Sequence, residues 1–312
     1  MAAIVTLTLN PALDVSTRTE RVLDAHKLRC EQPRFDPGGG GINVARVLHR
    51  LGAEVAAVFP CGGSTGDRLR ERVQAEGVPV HCVGIGGETR ESFTVNETAT
   101  GREYRFVLPG PELAESEWRA CLDALGAFAP APRWIIASGS LAPGVPLAFQ
   151  QALAAAAQRL GSRLVVDTSG PALAAAFAAG LYLAKPSLSE LRTLTGEPLA
   201  VEADWLRAAR RLIEQGRAEI IAVSLGAKGA LLVTRDQSLR APGLSVDVAG
   251  TVGAGDSFLA GLVSVLARGG DLPDALATAM AAGAAALLGG GTSLARPQDI
   301  DRLRAQVQVR PV

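Results

Sequence analysis

The chain has 312 residues, room for two domains of ordinary size or for one large α/β unit. Its 31 Lys and Arg balance 31 Asp and Glu, which excludes the diffuse basic field of a protein that holds nucleic acid by neutralising phosphates. With 48% hydrophobic and 20% charged residues, the composition excludes a disordered chain and supplies a sizeable core.

Strand-like and helix-like segments alternate along the chain. The apolar runs Ile4 to Leu9, Val55 to Phe59, Trp134 to Ala137, Leu164 to Val166, Leu181 to Ala184 and Ile220 to Val223 have the pattern of strands covered on both faces. Between them, Ile42 to Arg50, Arg68 to Glu76, Leu147 to Arg159, Pro171 to Ala179 and Trp205 to Glu214 read as helices. Ser257 to Ala267 and Leu272 to Leu288 are Ala/Leu-rich helices expected to pack over one side. The expectation is an α/β fold with a mostly parallel sheet between two helical layers. Two insertions break the alternation, at about 14–36 and 89–109. The first is polar and extended. The second holds two β-like runs, Ser92 to Glu97 and Glu103 to Leu108, joined through Ala99-Thr100-Gly101 as a hairpin. Together they predict a small separate sheet, a candidate lid whose apolar face a second subunit could cover.

Cys30, Cys61, Cys82 and Cys121 are scattered with no CxxC pair, which argues against a disulfide scaffold or a zinc ribbon and fits a reducing compartment. His26, His49 and His81 have no metal-ligand spacing. No apolar run free of Gly or charge reaches membrane-spanning length. The opening MAAIVTLTLNPALD lacks a basic segment and reads as a strand rather than a signal peptide. The expected setting is the cytoplasm, without membrane or nucleic-acid partners.

Two glycine-rich stretches carry the chemistry. In DVAGTVGAGDSF (Asp247 to Phe258), the turn Gly253-Ala254-Gly255 runs into an apolar helix, so successive N–H groups can gather around an anion. Asp256 follows at once, either as a plain helix cap or as a carboxylate base set against a phosphate, an arrangement suited to phosphoryl transfer to a hydroxyl. In Gly38-Gly39-Gly40-Gly41-Ile42-Asn43, four glycines leave backbone that a polar substrate can approach, unless they are merely a linker. Asn43 offers both a donor and an acceptor. A GxxxxGK[ST] loop is absent, because Gly226-Ala227-Lys228-Gly229 has the wrong spacing. GxGxxG fails at Phe258, and Asn10-Pro11-Ala12 stands where a dinucleotide fingerprint would begin.

GGGGINVAR and TVGAGDSF, in that order, resemble the two signatures of the ribokinase-like (PfkB) family of carbohydrate kinases. The resemblance runs along the whole chain through KLRCEQPRFDP, TRESF, SGSLAPGV, VDTSG, KPSLSEL and VSLGAKGALL, and PGGGGINVAR with YRFVLPG is similar to the phosphofructokinase branch. It implies one ribokinase-like three-layer αβα domain over 1–312, and ATP-dependent phosphorylation of a sugar phosphate, fructose 6-phosphate first. Fructose 1-phosphate and tagatose 6-phosphate are the alternative substrates, and a non-catalytic nucleotide- or sugar-binding regulator is a more distant alternative.

The resemblance also assigns site residues. Asp14, Gly38, Gly39 and Asn43 match sugar contacts, while Lys27, Arg90 and Arg105, with Ser140 nearby, match the holders of the sugar's phosphate. Each of those cations has a plainer reading as a solvated charge, and Asp14 as a turn residue. Lys185, Ser187, Ser224, Gly226 and Gly229 match the nucleotide site; Asp256 matches the base, and Gly253, Ala254 and Gly255 the anion hole. Glu190 matches a residue that orients the waters of Mg²⁺, but Ser187 stands where the family usually has Asn. Backbone carbonyls near Gly250, Val252, Ala286, Gly289 and Gly291 match a monovalent-cation (K⁺) loop. A homodimer formed through the lid is the implied assembly.

Overall fold

The computed structural model describes residues 3–289 and 293–312. Strand β1 (Ile4–Leu7) gives way to β2 (Ala12–Thr19) and β3 (Arg34–Gly38), and α1 (Gly40–Arg50) brings the chain back to β4 (Val55–Cys61). Helix α2 (Gly63–Ala75) leads to β5 (Val80–Gly84), followed by a second excursion, β6 (Arg90–Glu97) and β7 (Glu103–Val107). The chain continues through α3 (Glu115–Leu125), β8 (Trp134–Ser138), α4 (Phe149–Leu160), β9 (Arg163–Asp167), α5 (Gly170–Ala179) and β10 (Leu181–Ala184). Next come α6 (Leu188–Thr195), α7 (Glu202–Glu214), β11 (Ala218–Ser224), a 3₁₀ turn at Gly226–Lys228, β12 (Ala230–Val233) and β13 (Ser238–Ala241). Helices α8 (Ala254–Ala267), α9 (Leu272–Leu287) and α10 (Pro297–Arg304) and the short β14 (Arg310–Pro311) complete it.

Among the described residues the main sheet has ten strands in the order β14-β13-β12-β11-β10-β9-β8-β1-β4-β5. Its pairs are parallel from β5 to β11 and antiparallel from β11 to β14. Alternation along each strand feeds two cores, as strand geometry requires. In β8, Trp134 and Ile136 pack with α1, α8 and α9 on one face, while Ile135 packs with α3, α4, α5 and α7 on the other. The two Ala-rich helices pack over one side of the sheet, as expected, and also lie against each other. At Gly261 an added Cβ would come within 2.8 Å of the Thr278 carbonyl, so that close contact requires glycine.

The two insertions form a second sheet in the order β3-β2-β6-β7. The predicted hairpin is present, closed between Glu97 and Arg102. The pairing begins earlier in the chain than expected, at Ala12 opposite Gly38 and Arg90, and residues 20–33 are a loop rather than extended structure. One face of this sheet carries Asp14, Ser92 and Arg105; the other carries Val15, Phe35, Phe93 and Phe106 in one cross-strand row. Arg68 and Arg72 of α2 cover Phe35, whereas Phe93 and Phe106 are 37% and 55% exposed.

The cysteine reading needs one correction. Cys61 and Cys82 form a disulfide, with Cα atoms 5.9 Å apart, because β4 and β5 are neighbouring strands and bring them diagonally together. Their separation of 21 residues carried no sign of this. Cys30 and Cys121 are free. No helix among the described residues is long and apolar enough to cross a membrane.

Candidate active site

Strand β1 pairs with β4 on one side and β8 on the other, so the chain order reverses between β1 and β8. In doubly wound sheets the crevice beyond the carboxyl ends of the strands at such a reversal is the natural ligand site. The segments leaving β1, β8 and β10 there carry Asn10 and Asp14, Ser140, and Lys185, and β9 ends on Asp167. Helices α1 and α8 present their N-termini to the same region, and the small sheet stands beside it.

Gly253, with φ 77°, caps α8, and Asp256 lies in the helix's first turn. The N–H groups of a first turn have no partner within their own helix, so this end offers donors and positive dipole to an anion. Asn43 Nδ2 donates to Asp256 Oδ2 at 2.9 Å across 213 residues of sequence. Burial, and then the Asp167 carboxylate, raise Asp256 from the ordinary 3.8 to about 6, against the pull of Asn43 and Lys185. A carboxyl poised there is far better placed to take a proton near neutrality than an exposed aspartate.

Lys185 is 7% exposed, and its Nζ lies 3.2 Å from Asp167 Oδ1. A Cβ on Gly255 would come within 3.4 Å of that Nζ, so the ammonium abuts the glycine turn. Burial alone would lower the lysine's pKa. The carboxylates of Asp167, Asp256 and Glu190 outweigh that, so the pKa rises and the ammonium is kept charged.

The glycines of the second stretch have a packing reason. A Cβ on Gly38 would come within 2.5 Å of the Asp14 carboxylate, and one on Gly41 within 2.6 Å of the Leu7 carbonyl. The stretch is therefore fitted against the end of β1 rather than free as a linker. Asp14 is raised to about 6 by burial, with Arg105 and Arg90 pulling it down and Asp36, its cross-strand neighbour, pushing it up. Arg105 is exposed, on the same face of the sheet as Asp14. Arg90 is tied to backbone: it donates to the carbonyls of Asn10 at 3.0 Å, Pro11 at 3.3 Å and Leu108 at 2.9 Å. Ser140 accepts from Asn10 Nδ2 at 3.0 Å, and Asn10 Oδ1 is buried without a partner among the described residues.

Beyond β10, Ser187 caps α6 and forms a reciprocal box with Glu190: the Glu190 N–H donates to Ser187 Oγ at 3.2 Å, and the Ser187 N–H to Glu190 Oε2 at 2.7 Å. Ser187 also bridges to Ser224 at the end of β11. Gly226 opens the 3₁₀ turn that follows, and Gly229, at φ 98°, closes it, with its carbonyl accepting from the Leu225 N–H. These residues line the adjoining ends of β10 and β11.

Lys27 is not brought in. It lies exposed in the 20–33 loop. The N–H groups of Ala249 and Gly250 donate to the Leu287 carbonyl, so the segment before Val252 meets the end of α9, where Ala286 accepts from Gly289. Gly291 lies outside the described residues. No group of three metal-ligating side chains occurs among the described residues. Asp167, Arg46 and Glu76 were missed by the sequence reading. Asp167 had a signal, an acid closing an apolar strand in VDTSG; the ion pairs of Glu76 with Arg46 and Arg50 had none, because they join residues 26 to 30 apart in sequence.

Residues 7–299 match the pfkB family carbohydrate kinases. The chain is 46% identical to the ATP-dependent 6-phosphofructokinase isozyme 2 of Mycobacterium tuberculosis over 299 residues, 96% of this chain and 88% of that one. It superposes on the phosphofructokinase-2 of Escherichia coli in complex with fructose-6-phosphate with a TM-score of 0.92 at 39% identity, covering 98% of this chain and 99% of the other. For the same enzyme in complex with potassium the TM-score is 0.93 at 40% identity, with 98% and 99% covered. With the family match over most of the chain and these relatives covered nearly end to end, the chain belongs to the pfkB family of carbohydrate kinases.

Proposed function

We propose that the chain is an ATP-dependent 6-phosphofructokinase, moving the γ-phosphoryl group of ATP to the 1-hydroxyl of fructose 6-phosphate. The observation that carries this reading is Asp256, a carboxyl raised to about 6 and set in the first turn of the helix that the glycine turn opens. Asp256 accepts the hydroxyl proton as the oxygen attacks phosphorus. The N–H groups of the Gly253–Gly255 turn and the Lys185 ammonium face the charge that develops on the transferred group. Asp14 and Asn43, with the Gly38-Gly39 backbone, take the sugar hydroxyls. Arg105 meets the sugar's phosphate, while Arg90 and Ser140 shape the wall behind it, and the small sheet closes as a lid that keeps water from the phosphoryl group.

Ser187, Ser224, Gly226 and Gly229 form the nucleotide's side of the crevice. Glu190 has one carboxylate oxygen committed to the capping box and a second available to a hydrated ion, which suits Mg²⁺ held mainly by phosphate and water. Bound there, Mg²⁺ would neutralise phosphate charge. The meeting of the 249–250 segment with the end of α9 supports a K⁺ loop of carbonyls. Exposed Phe93, Phe106, Val107 and Leu108, with Leu23 and Leu28 in the loop that carries Lys27, support a homodimer through the lid, with Lys27 serving the neighbouring site. We place the enzyme in the cytoplasm.

The test is ADP release measured across hexoses and hexose phosphates, for the wild type and for Asp256→Asn. Fructose 6-phosphate should be preferred, and the variant should lose ~10²–10⁴-fold in kcat while still binding nucleotide. Preference for fructose 1-phosphate would refute the branch, and a near-normal kcat in Asp256→Asn would reduce Asp256 to a cap.

A further inference from the structure

The hydrogen bond that Asp256 receives does not end at Asn43. Asn43 Oδ1 accepts from Arg46 Nη1 at 3.2 Å, one helical turn along α1. The same Nη1 donates to the Pro37 carbonyl at 3.0 Å, and Arg46 Nε and Nη2 donate to Glu76 Oε1 at 2.9 and 2.5 Å. The other Glu76 oxygen accepts from Arg50 Nη2 at 2.9 Å, while Arg50 Nη1 reaches the carbonyls of Leu294 and Ala295. Arg46 is only 3% exposed. A full charge has been buried beside the site, and neither the sugar, the phosphate nor the nucleotide role uses it.

Its consequence lies in the amide between two ions. An arginine has no acceptor and an ionised carboxylate has no donor. An asparagine amide placed between them satisfies both in one orientation, with oxygen toward the guanidinium and nitrogen toward the carboxylate. The turned-over amide meets a repulsive contact at each end. We propose that Arg46, itself clamped by Glu76 and Pro37, is a positioning residue that locks the Asn43 amide so that Nδ2 always faces the carboxylate that takes the sugar's proton. The inference rests on the reading of Asp256 as the base.

Asp256 is faced by Asp167 of β9, Lys185 of β10, Asp14 of β2 and Asn43 of α1, and Arg46 also acts on Asp14. Among these, Asn43 is the neutral donor whose sign depends on its orientation. Without Arg46 the amide can turn, the carboxylate loses its donor and is harder to ionise, and the acid limb of the kcat–pH profile moves to higher pH.

The experiment is a double-mutant cycle of Arg46→Met and Asn43→Ala, read as kcat, KM and the kcat–pH profile, with thermal melting as a control on folding. Arg46→Met alone should lower kcat by ~10-fold or more and move the acid limb up, with the KM for ATP little changed. In the Asn43→Ala background the same change should alter kcat by less than about 2-fold and leave the limb in place. Equal losses in both backgrounds, or a lower melting temperature with an unmoved limb, would overturn the proposal. If Arg46→Met fails to fold, Glu76→Gln, which offers one acceptor oxygen to two guanidinium groups, should move the limb in the same direction by less. An unmoved limb there would be equally damaging. Asp256→Asn separates the two readings: normal kcat in that variant sinks the base itself, whereas loss of kcat with an additive cycle sinks only the role of Arg46.

Discussion

Lys185 Nζ stands 3.2 Å from Asp167 Oδ1 at the adjacent ends of β9 and β10, with the Gly255 turn against the same ammonium. Both groups are nearly buried, so the pair does more than a surface bridge, where exposure leaves little net energy. Removing one partner leaves the other charge buried and unpaired. Lys185→Met should therefore cost about 3–5 kcal/mol of stability in urea unfolding, besides most of the activity. Adding Asp167→Asn should recover most of the stability and none of the activity. If the single variant is as stable as the wild type, the pair is not the buried bridge described.

A second prediction follows from Asp14, whose pKa is raised by burial from 3.8 to about 6. A carboxyl raised in the folded state favours folding fully below its unfolded pKa, near 4, and that contribution is lost as pH rises through about 6. Asp14→Asn removes the loss. The variant should match the wild type near pH 4 and exceed it at pH 8 by up to about 3 kcal/mol, while activity falls. Thermal melts at the two pH values check this. A variant less stable than the wild type at pH 8 would show that Arg90 and Arg105 more than compensate the burial of Asp14.

Much of this was legible in the sequence, for physical reasons. Buried parallel strands must be apolar on both faces, so β1, β4, β8, β9, β10 and β11 announced themselves. Half-exposed β5, with His81 amid its apolar residues, and α6, behind Pro186 and Ser187, did not. Site residues that chain-local geometry fixes, Asp256 at a helix start and the glycines around Gly38, were likewise visible. Partnerships that only the sheet order creates, Asn43 with Asp256, Asp167 with Lys185 and Cys61 with Cys82, were not.

Ser187 gives a third prediction. The resemblance sets it where Asn is expected, yet here it closes a capping box with Glu190. Asparagine caps helices about as well as serine, so Ser187→Asn should keep both stability and Mg²⁺ response, while Ser187→Ala should lose ~1 kcal/mol. Glu190→Gln retains an oxygen for the Ser187 N–H but removes the charge, and should raise the Mg²⁺ concentration for half-maximal rate several-fold. An inactive Ser187→Asn would mean that the metal side of the crevice has been rebuilt around serine.

Phe106 tests the assembly. It is 55% exposed on the sheet face opposite Arg105, in a row with Phe93. Phe106→Glu should convert dimer to monomer in sedimentation without lowering the melting temperature of the isolated chain. Because Lys27 is proposed to reach the neighbour's site, the same variant should raise the KM for fructose 6-phosphate and leave that for ATP nearly unchanged. A variant that stays dimeric places the interface elsewhere.

The last prediction separates two arginines that the sequence could only group together. Arg90 spends three of its five N–H donors on the carbonyls of Asn10, Pro11 and Leu108, pinning the turn after β1 to the segment that leaves β7. Arg105 is exposed, and its guanidinium is available to a dianionic phosphate with two oxygens at once. Charge-assisted hydrogen bonds contribute about 1.5–3 kcal/mol, so Arg105→Ala should reduce kcat/KM for fructose 6-phosphate by ~10–150-fold. It should leave the melting temperature and the slow reaction with unphosphorylated fructose nearly unchanged, since neither depends on the phosphate. Arg90→Ala should lower kcat/KM for both sugars and reduce stability too, because freeing three carbonyls loosens the wall that carries Asn10 and, through it, Ser140. Arg90→Lys should not rescue it, for an ammonium at the end of a flexible chain cannot span three carbonyls held in a fork. Equal behaviour of Arg90→Ala and Arg105→Ala toward fructose and fructose 6-phosphate would return both arginines to a single role.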